Sequence, residues 1–196
     1  MEIFLNLHTE QLDLAAILPT LPARRRQQAM QYRRLEDKCS SVAAWLLLRE
    51  ACQRVLGTED VPEVGIGKTG KPFLVHVPDF NFNLSHTDGA AACAVSRIGA
   101  VGIDIERVKP LDREVMQQVM NEAEQQQILR AERPDVEFTR LWTQKESILK
   151  CTAEGLTAIH TLPALLTQST GFRIESHLTD NYRFAYSVCQ ETKLSV

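Results

Sequence analysis

With 196 residues, 44% of them hydrophobic and 24% charged, the chain has the composition of a folded globular protein, not of a disordered or membrane-spanning one. A net charge of −3 and a sequence pI near 6.0 exclude an overall basic field of the kind that gathers nucleic acid. The five cysteines, Cys39, Cys52, Cys93, Cys151 and Cys189, are odd in number, scattered and never in a C-x-x-C pair, which points to reduced thiols in a cytosol. The opening stretch MEIFLNLHTEQLD carries acids where a secretory signal needs basic residues, and no segment approaches membrane-spanning length, so a cytoplasmic protein without a membrane partner is expected.

Taken in chain order, Glu2 to Leu7 alternates as a strand does, with Ile3, Leu5 and Leu7 on one side. Residues 22 to 56 read as a long helical zone, opened by Pro22 and ended by Gly57, with Val42, Trp45, Leu46, Leu48 and Leu56 as its apolar stripe. Within it Arg24, Arg25 and Arg26 stand together, which is either a solvated helix face or a grip for phosphate. From 64 to 106 the pattern changes to short strands at Phe73 to Val77, Asp79 to Leu84, Ala91 to Val95 and Val101 to Ile105. Residues 112 to 152 return to helix, with a break near Glu132-Arg133-Pro134-Asp135, and the tail alternates again through Phe172, Ile174, Tyr182, Phe184, Tyr186 and Val188. Helix then strands, twice over, suggests an α+β fold of two similar halves, 1–106 and 107–196.

The stretch VGIGKTGKPFL, residues 64 to 74, imitates two phosphate-binding motifs. A P-loop needs a glycine where Pro62 stands, and proline offers no N–H to a phosphate. A dinucleotide fingerprint must open a helix, whereas Lys71-Pro72 leads into a strand-like run. The stretch is a glycine turn that presents Lys71.

Three other stretches carry groups capable of chemistry. In Val101-Gly102-Ile103-Asp104-Ile105-Glu106, strand alternation puts Asp104 and Glu106 on one face, and two adjacent carboxylates call for protons or a cation between them. In the helix-like Leu141 to Lys150, Trp142, Glu146 and Lys150 follow at intervals of four and share an edge. That edge is either a surface ion pair beside a core tryptophan, or a metal ligand or base with a lysine to neutralise phosphate. In Phe82-Asn83-Leu84-Ser85-His86, adjacent strand residues point opposite ways, so Ser85 and His86 are not a nucleophile and its base, and a phosphate contact suits His86 better. The five histidines and five cysteines show no zinc-ligand spacing.

With Gly70-Lys71-Pro72, Phe82 to His86, Gly102 to Glu106, Trp142 to Ser147 with Lys150, and Gly155-Leu156-Thr157 in this order, the chain resembles a 4′-phosphopantetheinyl transferase of the surfactin-synthetase-activating type. The resemblance implies two pseudo-symmetric α+β halves with coenzyme A in the cleft between them, and a monomer that is internally a pseudo-dimer. It implies transfer of phosphopantetheine from coenzyme A to a serine of an apo acyl, peptidyl or aryl carrier protein. Asp104, Glu106 and Glu146 would hold magnesium or manganese, Glu146 and Lys150 would be catalytic, and Lys71, Ser85, His86, Arg25 and Ser41 would contact coenzyme A. The alternative is a degenerate homologue that binds coenzyme A or a carrier without transfer. Three departures stand out. Lys38-Cys39-Ser40-Ser41 replaces an arginine that relatives carry after Glu36-Asp37, Met120 to Glu124 keeps an acid but loses an aromatic, and Ala153 replaces a frequent glycine, a change expected to matter only locally.

Overall fold

The computed structural model describes residues 1–153, 161–168 and 170–192. Gly155-Leu156-Thr157 lies outside the described residues. The chain runs β1 (Glu2–Asn6), α1 (Leu14–Ile17), α2 (Ala23–Met30), α3 (Leu35–Leu56), β2 (Val64–Ile66), β3 (Pro72–Leu74), β4 (Asn81–Thr87) and β5 (Ala90–Ser96). It continues through β6 (Val101–Arg107), α4 (Arg113–Val119), α5 (Glu122–Arg130), α6 (Pro134–Thr152), α7 (Leu165–Gln168), β7 (Phe172–Leu178) and β8 (Phe184–Glu191).

Two antiparallel three-stranded sheets organise these elements, in the orders β1-β5-β4 and β6-β8-β7. Each sheet pairs its first strand with its last and leaves the middle strand in sequence at the far edge. The long helices α3 and α6 occupy the same place in the two halves, between the first strand and the later pair. This β-α-β-β repetition is a likeness of topology that the sequence displays only as alternating helical and strand-like zones. By hydrogen bonding β6 belongs with β8 and β7, so sheet membership changes between Ser96 and Val101 and not after Glu106. A strand pattern does not reveal which neighbour will take its hydrogen bonds, so Asp104 and Glu106 lie in the second sheet.

Other boundaries shifted for local reasons. The helical zone 22–56 is broken between Met30 and Leu35. The strand expected from Phe73 to Val77 stops at Leu74, and His76 takes φ 67° in the turn beyond it. The zone 112–152 is three helices, because Asp112 caps α4 and Asn121 with Glu124 forms a capping box at the start of α5.

Strand β5 is buried throughout, and its small residues serve both faces. Ala91, Cys93 and Val95 pack with Leu47, Leu48, Ala51 and Cys52 of α3. Ala90, Ala92 and Ala94 pack with Ile103 and Ile105 of β6 and with Phe184 and Val188 of β8, the core between the sheets. The hairpin from β4 to β5 turns through Asp88-Gly89, with Gly89 at φ 85°, a left-handed backbone that glycine adopts without strain.

Gly102 sets how closely α6 approaches β6. A Cβ there would sit 2.1 Å from the Ser147 carbonyl oxygen and 2.4 Å from the Cys151 nitrogen, so only glycine lets the helix lie this low. That approach brings Glu146 and Lys150 down to the level of Asp104.

Candidate active site

Strands β4 and β6 are edge strands of different sheets, and the site forms along the seam where they meet. The outward N–H groups of β6 find side chains there: Ile103 N donates to Asn83 Oδ1 at 2.9 Å and Ile105 N to Ser85 Oγ at 3.3 Å. Alternate residues of β4 thus cap an edge that would otherwise carry unpaired amides. The next alternate residue, Thr87, donates from Oγ1 to Glu106 Oε2 at 3.1 Å.

Asp104 is buried on the face opposite Ile103 and Ile105, as strand alternation requires. Its Oδ1 accepts from Lys150 Nζ at 2.5 Å and from Ser85 Oγ at 2.9 Å, and Lys150 also donates to Ser85 Oγ at 3.0 Å. Lys150 therefore pairs across to Asp104, and not along α6 with Glu146 as the spacing alone suggested. Asp104 Oδ2 and Glu146 Oε1 are buried and accept no hydrogen bond among the described residues. Burial, and then the charge of Asp104, push the Glu106 carboxyl up to about 7. The same two causes raise Glu146, against a smaller opposing effect of Lys150.

A second cluster gathers around the first helices. Arg25 donates from Nη2 to the Ser41 carbonyl and, at 2.6 Å, to Ser41 Oγ, and lies 5.7 Å from the Trp45 ring centre. Burial lowers its pKa, and its Nε donates to nothing among the described residues. His86 Nε2 lies 3.4 Å from Tyr32 Oη, with the two rings edge to face. Burial holds His86 below its ordinary value, helped by the positive charges of Arg25 and Lys150, so its ring is neutral at pH 7. A hollow of about 470 Å³ opens beside Arg25, Gln28, Gln31 and Tyr32. Arg24 and Arg26 are exposed.

Lys71 stands apart in its bonding. Its ammonium donates to the carbonyls of Val101 at 2.9 Å and Cys151 at 3.0 Å, bracing the start of β6 against the end of α6. Two of its three protons are engaged in this strut, and burial lowers its pKa.

Tyr32, Asn83 and Thr87 belong to the site without having been singled out in the sequence. Period two from Ser85 could have found Asn83 and Thr87. Nothing local marks Tyr32, which reaches His86 because the connection between α2 and α3 comes up against β4.

Among the described residues, no three His, Cys, Asp or Glu side chains are grouped closely enough to form a ready-made metal centre. Lys150 occupies the Asp104 oxygen that faces it. The donors nevertheless suit a hard dication: two buried carboxylate oxygens lack partners among the described residues, and burial, then the charge of Asp104, pushes Glu106 toward protonation.

Two family descriptions match the chain, "4′-phosphopantetheinyl transferase, N-terminal" over residues 8–97 and "4′-phosphopantetheinyl transferase superfamily" over 100–194. Their junction falls where sheet membership changes. Similar proteins include a 4′-phosphopantetheinyl transferase of Bacillus subtilis, 29% identical over 71% of this chain and 63% of that protein. The transferase psf-1 of Bacillus pumilus is 32% identical over 74% of this chain and 63% of its own length. The transferase Sfp of Bacillus subtilis strain 168 is 25% identical over 79% and 70% respectively. The chain thus matches less than two thirds of the length of the first two.

Proposed function

The chain belongs to the 4′-phosphopantetheinyl transferase superfamily, and we propose that it transfers 4′-phosphopantetheine from coenzyme A to a serine hydroxyl of an apo carrier protein. The observation that carries this reading is Asp104 held by Lys150 and Ser85, with Glu106 and Glu146 near enough to feel its charge, an excess of carboxylate that suits the cation a pyrophosphate also needs.

Asp104, Glu106 and Glu146 would hold magnesium or manganese. When bound, the ion supplies positive charge to the pyrophosphate oxygens. Arg25 and Tyr32 beside their hollow, with Ser41 bonded to the one and His86 to the other, suit a phosphate at the nucleotide end of coenzyme A, where donors from separate chain segments would fix its position. The guanidinium that Arg25 lays on Ser41 supplies, from α2, the positive charge that relatives carry on the residue before the small hydroxyl.

The raised carboxyl of Glu146 suits proton transfer. As the carrier serine Oγ forms its bond to the β-phosphorus, Glu146 accepts the hydroxyl proton. The bond from that phosphorus to the bridging oxygen breaks, and its electron pair leaves with adenosine 3′,5′-bisphosphate. Lys150 steadies the charge that grows on the phosphate oxygens. Two matching halves in one chain furnish both sides of the seam, which supports action as a monomer.

Intact-mass spectrometry of apo acyl and peptidyl carrier proteins, incubated with this protein, coenzyme A and magnesium, tests the reading. A gain of one phosphopantetheine, lost when the metal is omitted, is expected. Coenzyme A binding without any gain across the panel would instead identify a binder that no longer transfers.

A further inference from the structure

Lys150 has two duties that cannot be performed at once. Its ammonium lies 2.5 Å from Asp104 Oδ1 and 3.0 Å from Ser85 Oγ, directly on the carboxylate that heads the proposed ion site. A dication bound to Asp104 would meet a like charge at contact distance, which a partly buried site does not tolerate. The side chain is built to move. It keeps 30% of its side-chain surface exposed and has a third proton without a partner among the described residues, whereas Asp104 is 3% exposed and fixed on its strand. Among the described ion pairs, Lys150 supplies the only cation on Asp104.

We propose that Lys150 is a tethered counter-ion that occupies the head of the carboxylate site until a divalent cation displaces it. This rests on the ion-site reading above and deepens it. The ammonium neutralises Asp104 in the protein without metal, so that a buried carboxylate beside Glu106 and Glu146 does not stand uncompensated. An incoming pyrophosphate offers the ammonium a better-placed anion, and once the lysine swings to it, Asp104 Oδ1 joins Oδ2 in facing the ion. Substrate and ion then strengthen each other's binding, and by linkage the effect is equal in both directions. The lysine that blocks the ion in the resting protein is the one that later meets the phosphate, so neither charge is left unpaired at either stage.

The consequence runs against intuition: removing a residue that transfer needs should improve metal binding. Titration with Mn²⁺ alone, following the free ion by electron paramagnetic resonance, measures it on the full chain. Lys150→Met is expected to bind Mn²⁺ about tenfold tighter than the unaltered protein, while Lys150→Arg, which keeps the charge, stays within about twofold. Addition of coenzyme A is expected to tighten Mn²⁺ binding in the unaltered protein and to do so much less in Lys150→Met. Equal or weaker Mn²⁺ binding by Lys150→Met, or binding by neither protein, would overturn displacement. Asp104→Asn separates the two levels of the argument. Should it bind Mn²⁺ as tightly as the unaltered protein, the carboxylate site itself is wrong, whatever Lys150 does. If Lys150→Met fails to give a cooperative melt, Lys150→Gln carries the same comparison.

Discussion

Helix α6 carries two lysines five residues apart, each paired with a carboxylate from another element, and the two pairs serve different ends. Lys145 has no exposed surface, and its three protons go to Glu124 Oε2 at 2.7 Å, the Val119 carbonyl at 2.9 Å and the Leu162 carbonyl at 2.6 Å. Lys150, on another side of the helix, is partly exposed and has a proton to spare. A lysine whose donors are exhausted by carbonyls and a carboxylate has nothing left for a ligand and works as a tie between α6, α5 and the segment around Leu162. A lysine held by one carboxylate at an open seam can exchange partners. The same residue type on the same helix is structure in one place and chemistry in the other, and saturation of its hydrogen bonds separates the cases.

Breaking the saturated pair should have the largest effect on folding. Lys145→Ala leaves Glu124 buried without its cation, and loss of about 3–5 kcal/mol is expected, read as a large fall in Tm in a thermal melt. A Tm within a few degrees of the unaltered protein would mean that Lys145 is no tie.

At the open pair the effect should fall on turnover instead. Asp104→Asn is expected to lower kcat about 10³-fold or more, in keeping with loss of a group that organises phosphoryl transfer, with a melt close to that of the unaltered protein. Near-normal transfer by Asp104→Asn would place the chemistry elsewhere.

The carboxylates around that pair should also show in a pH profile. Glu106 titrates near 7 in the folded chain against an ordinary 4.5, so the fold holds its proton more tightly than the unfolded chain does. Its contribution to stability is fully present below about pH 4.5 and is lost as pH rises through about 7. Without divalent ions, Tm should therefore drop between about pH 4.5 and pH 7 more steeply in the unaltered protein than in Glu106→Gln. Parallel profiles would remove the strain assigned to Glu106.

The smallest expected effect lies at the end of the same helix. Ala153 follows the last turn of α6 with φ 61°, a left-handed conformation that glycine adopts without strain. The loss of glycine here is thus more than a neutral local change, and Ala153→Gly should raise stability by about 1 kcal/mol. An unchanged or lower Tm would show that the turn is held by other contacts.

Much of the site was legible before any coordinates. Period two placed Asp104 and Glu106 on one strand face, and the packing of Ile103 and Ile105 between the sheets, with Asp104 bonded to Lys150 of α6, agrees with that. The interval of four put Glu146 and Lys150 on one edge of α6, although the partner of Lys150 came from β6. Lys71, expected to contact coenzyme A, also braces Val101 and Cys151 through its ammonium, contacts 30 and 80 residues away that no local pattern foretells. Glu124, in the sequence only the acid kept in the Met120 to Glu124 stretch, is both a helix cap and the counter-ion of Lys145.

The sequence by itself determined the order of helical and strand-like zones and which side chains share a face, because those follow from periodicities of two and 3.6 residues along a single element. It also carried the family, through five short motifs in order. Only the tertiary structure decided that β6 joins the second sheet, that β4 caps its free edge, and that one lysine is saturated while another stands open. Those outcomes depend on which distant segments come within hydrogen-bonding reach, and at Gly102 on the few ångströms by which a missing side chain lets a helix settle onto a strand.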